Sequence, residues 1–113
     1  MFQVSSFMFH DELMSLTKIK AIEIMRQVNG GECFFNSDGK VFCSLRDLAR
    51  EIMTMPQPVF NHHCNSKKCD FSSWIAGVLR DEKLAKDVTA ANGVRAKIED
   101  LIIKRVEQLE KYA

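Results

Sequence analysis

Two histidines and two cysteines lie close together in the middle of the chain. They are His62, His63, Cys64 and Cys69. All four are residue types that bind zinc, and Cys33 and Cys43 could add further thiolates. The Cys-x4-Cys spacing is wider than the usual x2 pair, and structural zinc sites present two separated knuckles instead of one crowded loop. We therefore predict no bound metal and no cofactor, with a zinc-binding domain as the less favoured alternative.

The same segment contains a nucleophile and a base. Cys69 comes just before a predicted helix, where the helix dipole can stabilise a thiolate, and His63 is near in sequence. However, no glycine-rich turn supplies obvious oxyanion donors, and no third residue that would orient the histidine is evident. The phosphate loop, the dinucleotide fingerprint and the paired-carboxylate motif are also missing from the sequence. We therefore predict that the protein is not an enzyme.

Four cysteines could form two disulfides, so their redox state depends on the compartment. The N-terminal residues lack the basic segment and sustained apolar core of a secretory signal. No run approaches the roughly 18 apolar residues of a membrane span. From this we expect reduced thiols, a cytoplasmic location and no membrane partner.

Seven basic residues group around two short predicted helices that could form a helix-turn-helix. They are Lys67, Lys68, Arg80, Lys83, Lys86, Arg95 and Lys97. Acidic residues alternate with them, and the whole chain carries a net charge of only +1. Mixed charge of this kind is typical of solvated surface, so a nucleic-acid-binding helical domain is an alternative that we do not favour.

Apolar spacing and turn residues define the elements that must position these side chains. A chain of 113 residues fits one domain, residues 1–113. Helices are predicted over 11–28, over 44–55 with Ser44 as the N-cap, from 70, from 81 and from about 92 onward. Two aromatic runs around an Asn-Ser-Asp-Gly turn predict a β-hairpin near residues 32–43. The predicted fold class is mainly α (α+β), a small domain of about five helices with one hairpin.

The first helix is predicted from apolar residues at three-residue spacing, followed by a glycine stop. They are Leu13, Leu16, Ile19, Ile22, Met25 and Val28. This stripe and the stripe of the last helix are predicted to supply contact surface for self-association.

Five sequence elements follow one another in order between about residues 33 and 90. They are an aromatic hairpin with Asp-Gly at its turn, Ser-Leu-x-x-Leu from Ser44, F-x-x-H from Phe60 to His63, D-F-x-x-W-I from Asp70, and D-x-x-L-A from Asp81. The ordered set resembles a small uncharacterised domain family of archaea and bacteria, in which the positions of Cys64 and Cys69 are usually not cysteine. The resemblance implies a fold and no activity.

The residues of this signature are predicted to be structural. Asp70 should cap the helix that it begins, and Phe71 and Trp74 should lie in the core. His63, with Phe60 before it, should be packed against the same region with a ring nitrogen hydrogen-bonded.

The N-terminal segment is rich in phenylalanine and methionine, with Phe2, Phe7, Met8 and Phe9. Such a segment either folds back on the core or meets a partner, and methionine suits adaptable contacts. The favoured function is a non-catalytic protein–protein interaction or regulatory module whose partner is another protein or a second copy of itself in a homo-oligomer.

Overall fold

The computed structural model describes residues 17–112. Within this range the protein is mainly helical with one two-stranded antiparallel hairpin, which confirms the predicted fold class. The N-terminal Phe/Met segment and the first two leucines of the predicted first helix, Leu13 and Leu16, lie outside the described residues.

The elements follow one another with short connections. Helix α1 covers 17–25, and a 3-10 turn follows at Gly30–Glu32. The hairpin strands are β1 (Phe34–Phe35) and β2 (Val41–Phe42). The later helices are α2 (Leu45–Ile52), α3 (Gln57–His63), α4 (Asp70–Trp74) with a continuing π-helical turn (Ile75–Leu79), α5 (Glu82–Ala90) and α6 (Arg95–Glu110). No helix in the described range is long and apolar enough to cross a membrane.

Helix α6 closes the core by packing along α2 and α5. Its buried side chains recur every three or four residues, at Ile98, Ile102, Val106 and Leu109. Each such side chain contributes about 1.5–3 kcal/mol when it leaves water. Because these side chains are buried within the fold, they do not supply the contact surface that was predicted from the sequence.

The predicted stripe of the first helix is divided between the surface and the core. Ile19 and Ile22 are 58% and 50% exposed, whereas Ala21 and Ile24 are fully buried. Strict three-residue spacing drifts around a helix of 3.6 residues per turn, so the buried face follows a different set of positions. The helix also ends at residue 25 instead of 28, because the Val28 N–H donates to the Cys43 carbonyl at 2.8 Å.

Helix α3 replaces a predicted loop. The preceding helix was predicted to end at residue 55, and the two prolines that follow it belong to the next helix: Pro56 is its N-cap and Pro58 lies in its first turn. Proline suits the first helical turn because that turn needs no N–H from it. The new helix presents Phe60 and His63, three residues apart, to the core, and both are buried.

The joint between the π-helical turn and α5 is fixed by a buried carboxylate. Arg80 adopts left-handed backbone angles with φ of 64°, and the Asp81 side chain caps α5 by accepting from the Leu84 N–H at 3.2 Å. Asp81 is 1% exposed and binds the Arg105 guanidinium through both oxygens, at 2.7 and 2.9 Å. A carboxylate buried this deeply needs such a charged partner, which ties the joint to α6.

Gly93 allows α6 to approach the loop before α4. Its φ is 82°, and a Cβ atom there would lie 2.5 Å from the carbonyl carbon of Asn65. We predict that Gly93→Ala lowers the free energy of unfolding by about 1–3 kcal/mol, because it adds both backbone strain and overlap with a backbone atom. Gly31→Ala is the control, since nothing lies within 4 Å of its added methyl group. Equal midpoints for the two variants in urea denaturation would contradict this account.

Candidate functional site

His63 connects three separate segments of the chain. Its Nε2 accepts a hydrogen bond from the backbone N–H of Ser37, in the hairpin turn, at 2.9 Å. Its Nδ1 lies 3.0 Å from the Oδ2 of Asp70, at the start of α4. The imidazole is 6% exposed, so His63 is packed and hydrogen-bonded as the sequence predicted.

The two bonds also determine where the ring proton lies. A backbone N–H can only donate, so Nε2 must present its lone pair to Ser37 and carries no proton. The proton of the neutral ring is therefore on Nδ1 and is donated to the Asp70 carboxylate. With both nitrogens engaged in this way, His63 has no free lone pair for abstracting a proton from a substrate.

Asp70 does not cap α4, and that prediction is wrong. The N-cap is Cys69, without a side-chain cap bond, and Asp70 is the first helical residue. Its carboxylate turns toward His63 and toward Lys68, whose Nζ lies 3.1 Å from the same oxygen. Burial acts to raise the pKa of Asp70, but the hydrogen bonds from His63 and Lys68 and the Lys68 charge outweigh it and lower the pKa below 3.8.

The rings around His63 form one aromatic cluster centred on Phe34. Phe34 contacts His63, Phe71, Trp74 and Phe42 with ring centroids 5.1 to 6.0 Å apart. The Trp74 indole N–H donates to the Glu32 carbonyl at 2.8 Å, so the large ring is buried with its polar atom satisfied. Phe60 and Phe71 are completely buried beside it.

All four cysteines are paired, as Cys33–Cys43 and Cys64–Cys69, which overturns the expectation of reduced thiols. Opposite residues of an antiparallel ladder alternate between hydrogen-bonded pairs and non-bonded pairs, in which the Cα atoms are closer. The Asn36 N–H donates to the Lys40 carbonyl, which makes Cys33 and Cys43 a non-bonded pair, and their Cα atoms lie 4.5 Å apart. The hairpin that the sequence predicted therefore places these sulfurs together.

Cys64 and Cys69 face each other in the same way across a small turn. The Asn65 N–H donates to the Lys68 carbonyl at 2.8 Å, and the two cysteines form the next pair outward, with Cα atoms 4.0 Å apart.

The four residues considered as zinc ligands are not brought together. His62 is exposed, His63 is bonded to Ser37 and Asp70, and Cys64 and Cys69 are bonded to each other. Between residues 17 and 112 the structure contains no group of three or more His, Cys, Asp or Glu side chains arranged to hold a metal ion.

Three of the seven basic residues considered for nucleic acid have partners within the chain. The Arg95 guanidinium lies over the Phe60 ring and donates to the carbonyls of Ile52 and Met55, at 2.8 and 2.6 Å. Lys68 and Lys83 form ion pairs with Asp70 and Asp87. Of these three, only Arg95 is turned into the fold, whereas Lys68 and Lys83 remain at the surface.

Sequence reasoning missed Asn36 and Ser37, which form the hairpin side of the site. The side-chain Nδ2 of Asn36 donates to Asp38, and the Gly39 N–H donates to the Asn36 carbonyl at 3.0 Å, with φ of 92° at Gly39. These bonds aim the Ser37 N–H at His63. The Asn-Ser-Asp-Gly sequence predicts a turn. It does not indicate that the Ser37 N–H donates to His63.

No protein family, curated protein or solved structure matches this chain. The likeness to an archaeal and bacterial domain family therefore stays a prediction.

The assigned tautomer of His63 can be tested directly. We predict that long-range proton–nitrogen spectra near pH 7 show Nδ1 as the protonated nitrogen and Nε2 as the bare one. His62, which is exposed, serves as the internal control. A protonated Nε2 in the neutral ring would contradict the hydrogen bond from Ser37.

The lowered pKa of Asp70 predicts a pH dependence of stability. Because the folded-state pKa lies below the unfolded value near 3.8, the ionised carboxylate stabilises the native state above that value. This contribution should be lost as the pH falls through the folded pKa. Wild type should therefore exceed Asp70→Asn by a constant amount near neutral pH, about 1 kcal/mol or less because the pair is partly exposed, and the gap should close below about pH 4. Urea unfolding of both proteins across pH 2–7 measures it, and a gap that widens in acid would contradict the sign.

Proposed function

We propose that this protein is a non-catalytic protein–protein interaction module that self-associates through the outer face of its hairpin. The observation that carries the proposal is the pair Phe35 and Val41, which lie directly opposite each other in the two strands. They are 60% and 47% exposed, although both are large apolar side chains. An aromatic and a β-branched side chain presented together on one face are typical of a contact surface.

The rigidity of the hairpin supports this use. The Cys33–Cys43 disulfide closes its open end, the glycine turn closes the other, and the Val28–Cys43 hydrogen bond ties it to the segment after α1. A surface held in one conformation loses little entropy on binding. Phe35 can therefore contribute most of its apolar area to an interface.

A second copy of the chain is the occupant that we propose. Phe35 of one protomer can pack on Val41 of the other about a twofold axis, and such a contact is complementary to itself. The net charge of +1 gives little long-range repulsion between two copies. Two apolar side chains are a small part of the roughly 800 Å² that a stable interface buries on each partner, so we expect micromolar affinity.

The polar residues of the site support a role without catalysis. Both ring nitrogens of His63 are hydrogen-bonded within the fold, so neither is free to take a proton from a substrate. The proposal thus assigns the signature residues to holding the hairpin in place. Nucleic-acid binding would need a concentrated basic surface, and the ion pairs of Lys68 and Lys83 and the inward position of Arg95 weigh against it.

We predict that wild-type protein at tens of micromolar gives about twice the chain mass in light scattering, and that Phe35→Ser lowers this to one chain. Met53→Ser is the matched control, because Met53 is 61% exposed but lies after α2 and outside the hairpin. Circular dichroism should be the same for all three proteins. A wild-type monomer at every concentration, or a dimer that survives Phe35→Ser, would overturn the proposed hairpin dimer.

A further inference from the structure

The Cys64–Cys69 loop is held in shape by contacts that do not involve sulfur. The Asn65 side chain accepts from the N–H groups of Lys67 and Lys68, at 2.9 and 3.3 Å, and donates to the Asn61 carbonyl at 3.0 Å. The backbone bond from Asn65 to Lys68 closes the turn, and Gly93 packs against the other side of Asn65. The two sulfurs would therefore remain opposite each other after the bond between them is broken.

The residues flanking this disulfide strengthen the same restraint. His63 precedes Cys64, Asp70 follows Cys69, and the side chains of His63 and Asp70 are bonded to each other at 3.0 Å. The His63–Asp70 pair lies beyond the two cysteines in sequence, and the Asn65–Lys68 turn lies between them. Both therefore restrain the distance between the cysteines. A dithiol held at both ends has a high effective concentration of one thiol toward the other, which favours closure again.

The two sulfurs differ in access. Cys64 is fully buried, whereas Cys69 is partly exposed, and the residues between them, Ser66 to Lys68, are exposed. Cys69 is therefore the more accessible of the two residues to a reagent. This asymmetry defines which sulfur is attacked and which one leaves.

We propose that Cys64–Cys69 is a reversible thiol–disulfide exchange site that reacts with dithiols and their disulfides. One thiolate of a dithiol attacks the Cys69 sulfur, a mixed disulfide forms, and Cys64 leaves as a thiolate that takes up a proton. The second thiolate of the reagent then attacks the reagent sulfur that is bonded to Cys69. Cys69 leaves as a thiolate and takes up a proton. The reagent is oxidised to a disulfide by two electrons, and the protein gains two thiols.

The other disulfide is a suitable internal comparison. Cys33–Cys43 spans ten residues of sequence and Cys64–Cys69 spans five. Stabilisation by a disulfide grows with the length of the loop that it closes, so the shorter one can open at a smaller loss of stability.

The test is a titration of the full-length protein with reduced and oxidised dithiothreitol, followed by acid quenching, alkylation and mass spectrometry of the cysteine peptides. We expect Cys64 and Cys69 to be labelled while Cys33 and Cys43 remain bonded, with unchanged circular dichroism, and to re-form their bond when the reductant is removed. Opening of Cys33–Cys43 first, or loss of helical signal together with opening of Cys64–Cys69, would overturn the proposal.

Single variants test the direction of attack. Cys64→Ala leaves Cys69, which should form a mixed disulfide with oxidised glutathione at least about tenfold faster than Cys64 does in Cys69→Ala, because the buried thiol is inaccessible. Equal rates would overturn the assignment of Cys69.

Asn65→Ala tests the preorganised turn. It should lower the equilibrium constant for closing the disulfide by about tenfold, because three hydrogen bonds that align the thiols are lost. An unchanged constant in a folded Asn65→Ala protein would overturn the argument that the turn makes the site reversible.

Discussion

The bridge through His63 is the interaction on which the arrangement of the other elements depends. The imidazole, at the end of α3, accepts a hydrogen bond from a backbone N–H of the hairpin turn. Its other nitrogen is bonded to a carboxylate of α4. Only a neutral imidazole can accept at one nitrogen and donate at the other. The position therefore demands histidine: asparagine or glutamine could supply a donor and an acceptor, but not with this separation or with a ring in edge contact with Phe34.

The aromatic cluster and the polar bridge stabilise the same junction by different means. Phe34, Phe71 and Trp74 exclude water from it, and this exclusion strengthens the bonds of His63 because they form in a medium of low dielectric. The bonds in turn fix the angle at which the hairpin meets α4. The hairpin face with Phe35 and Val41 then points away from the core, since neighbouring residues of a strand alternate between its two sides.

The parts of the fold that the sequence predicted are those with local causes. Asn36–Gly39 makes the turn, Ser44 caps α2 through Asp47, and Asp81 caps α5, all within four residues of their partners. The errors arose where the partner is distant. Asp70 bonds His63 instead of its own helix, and the cysteine pairs depend on which residues the turns set opposite each other. Pro56 and Pro58 were ambiguous because proline both ends one helix and suits the start of another.

The hydrogen bonds from Arg95 to the end of α2 affect when the fold can be completed during synthesis. Its guanidinium satisfies the carbonyls of Ile52 and Met55, roughly forty residues earlier in the chain, and α6 then covers α2 with its apolar stripe. Until α6 has left the ribosome, the growing polypeptide exposes the apolar side of α2 and leaves those carbonyls to water. Contacts of such long sequence separation form late, and apolar surface that is exposed in the meantime favours aggregation.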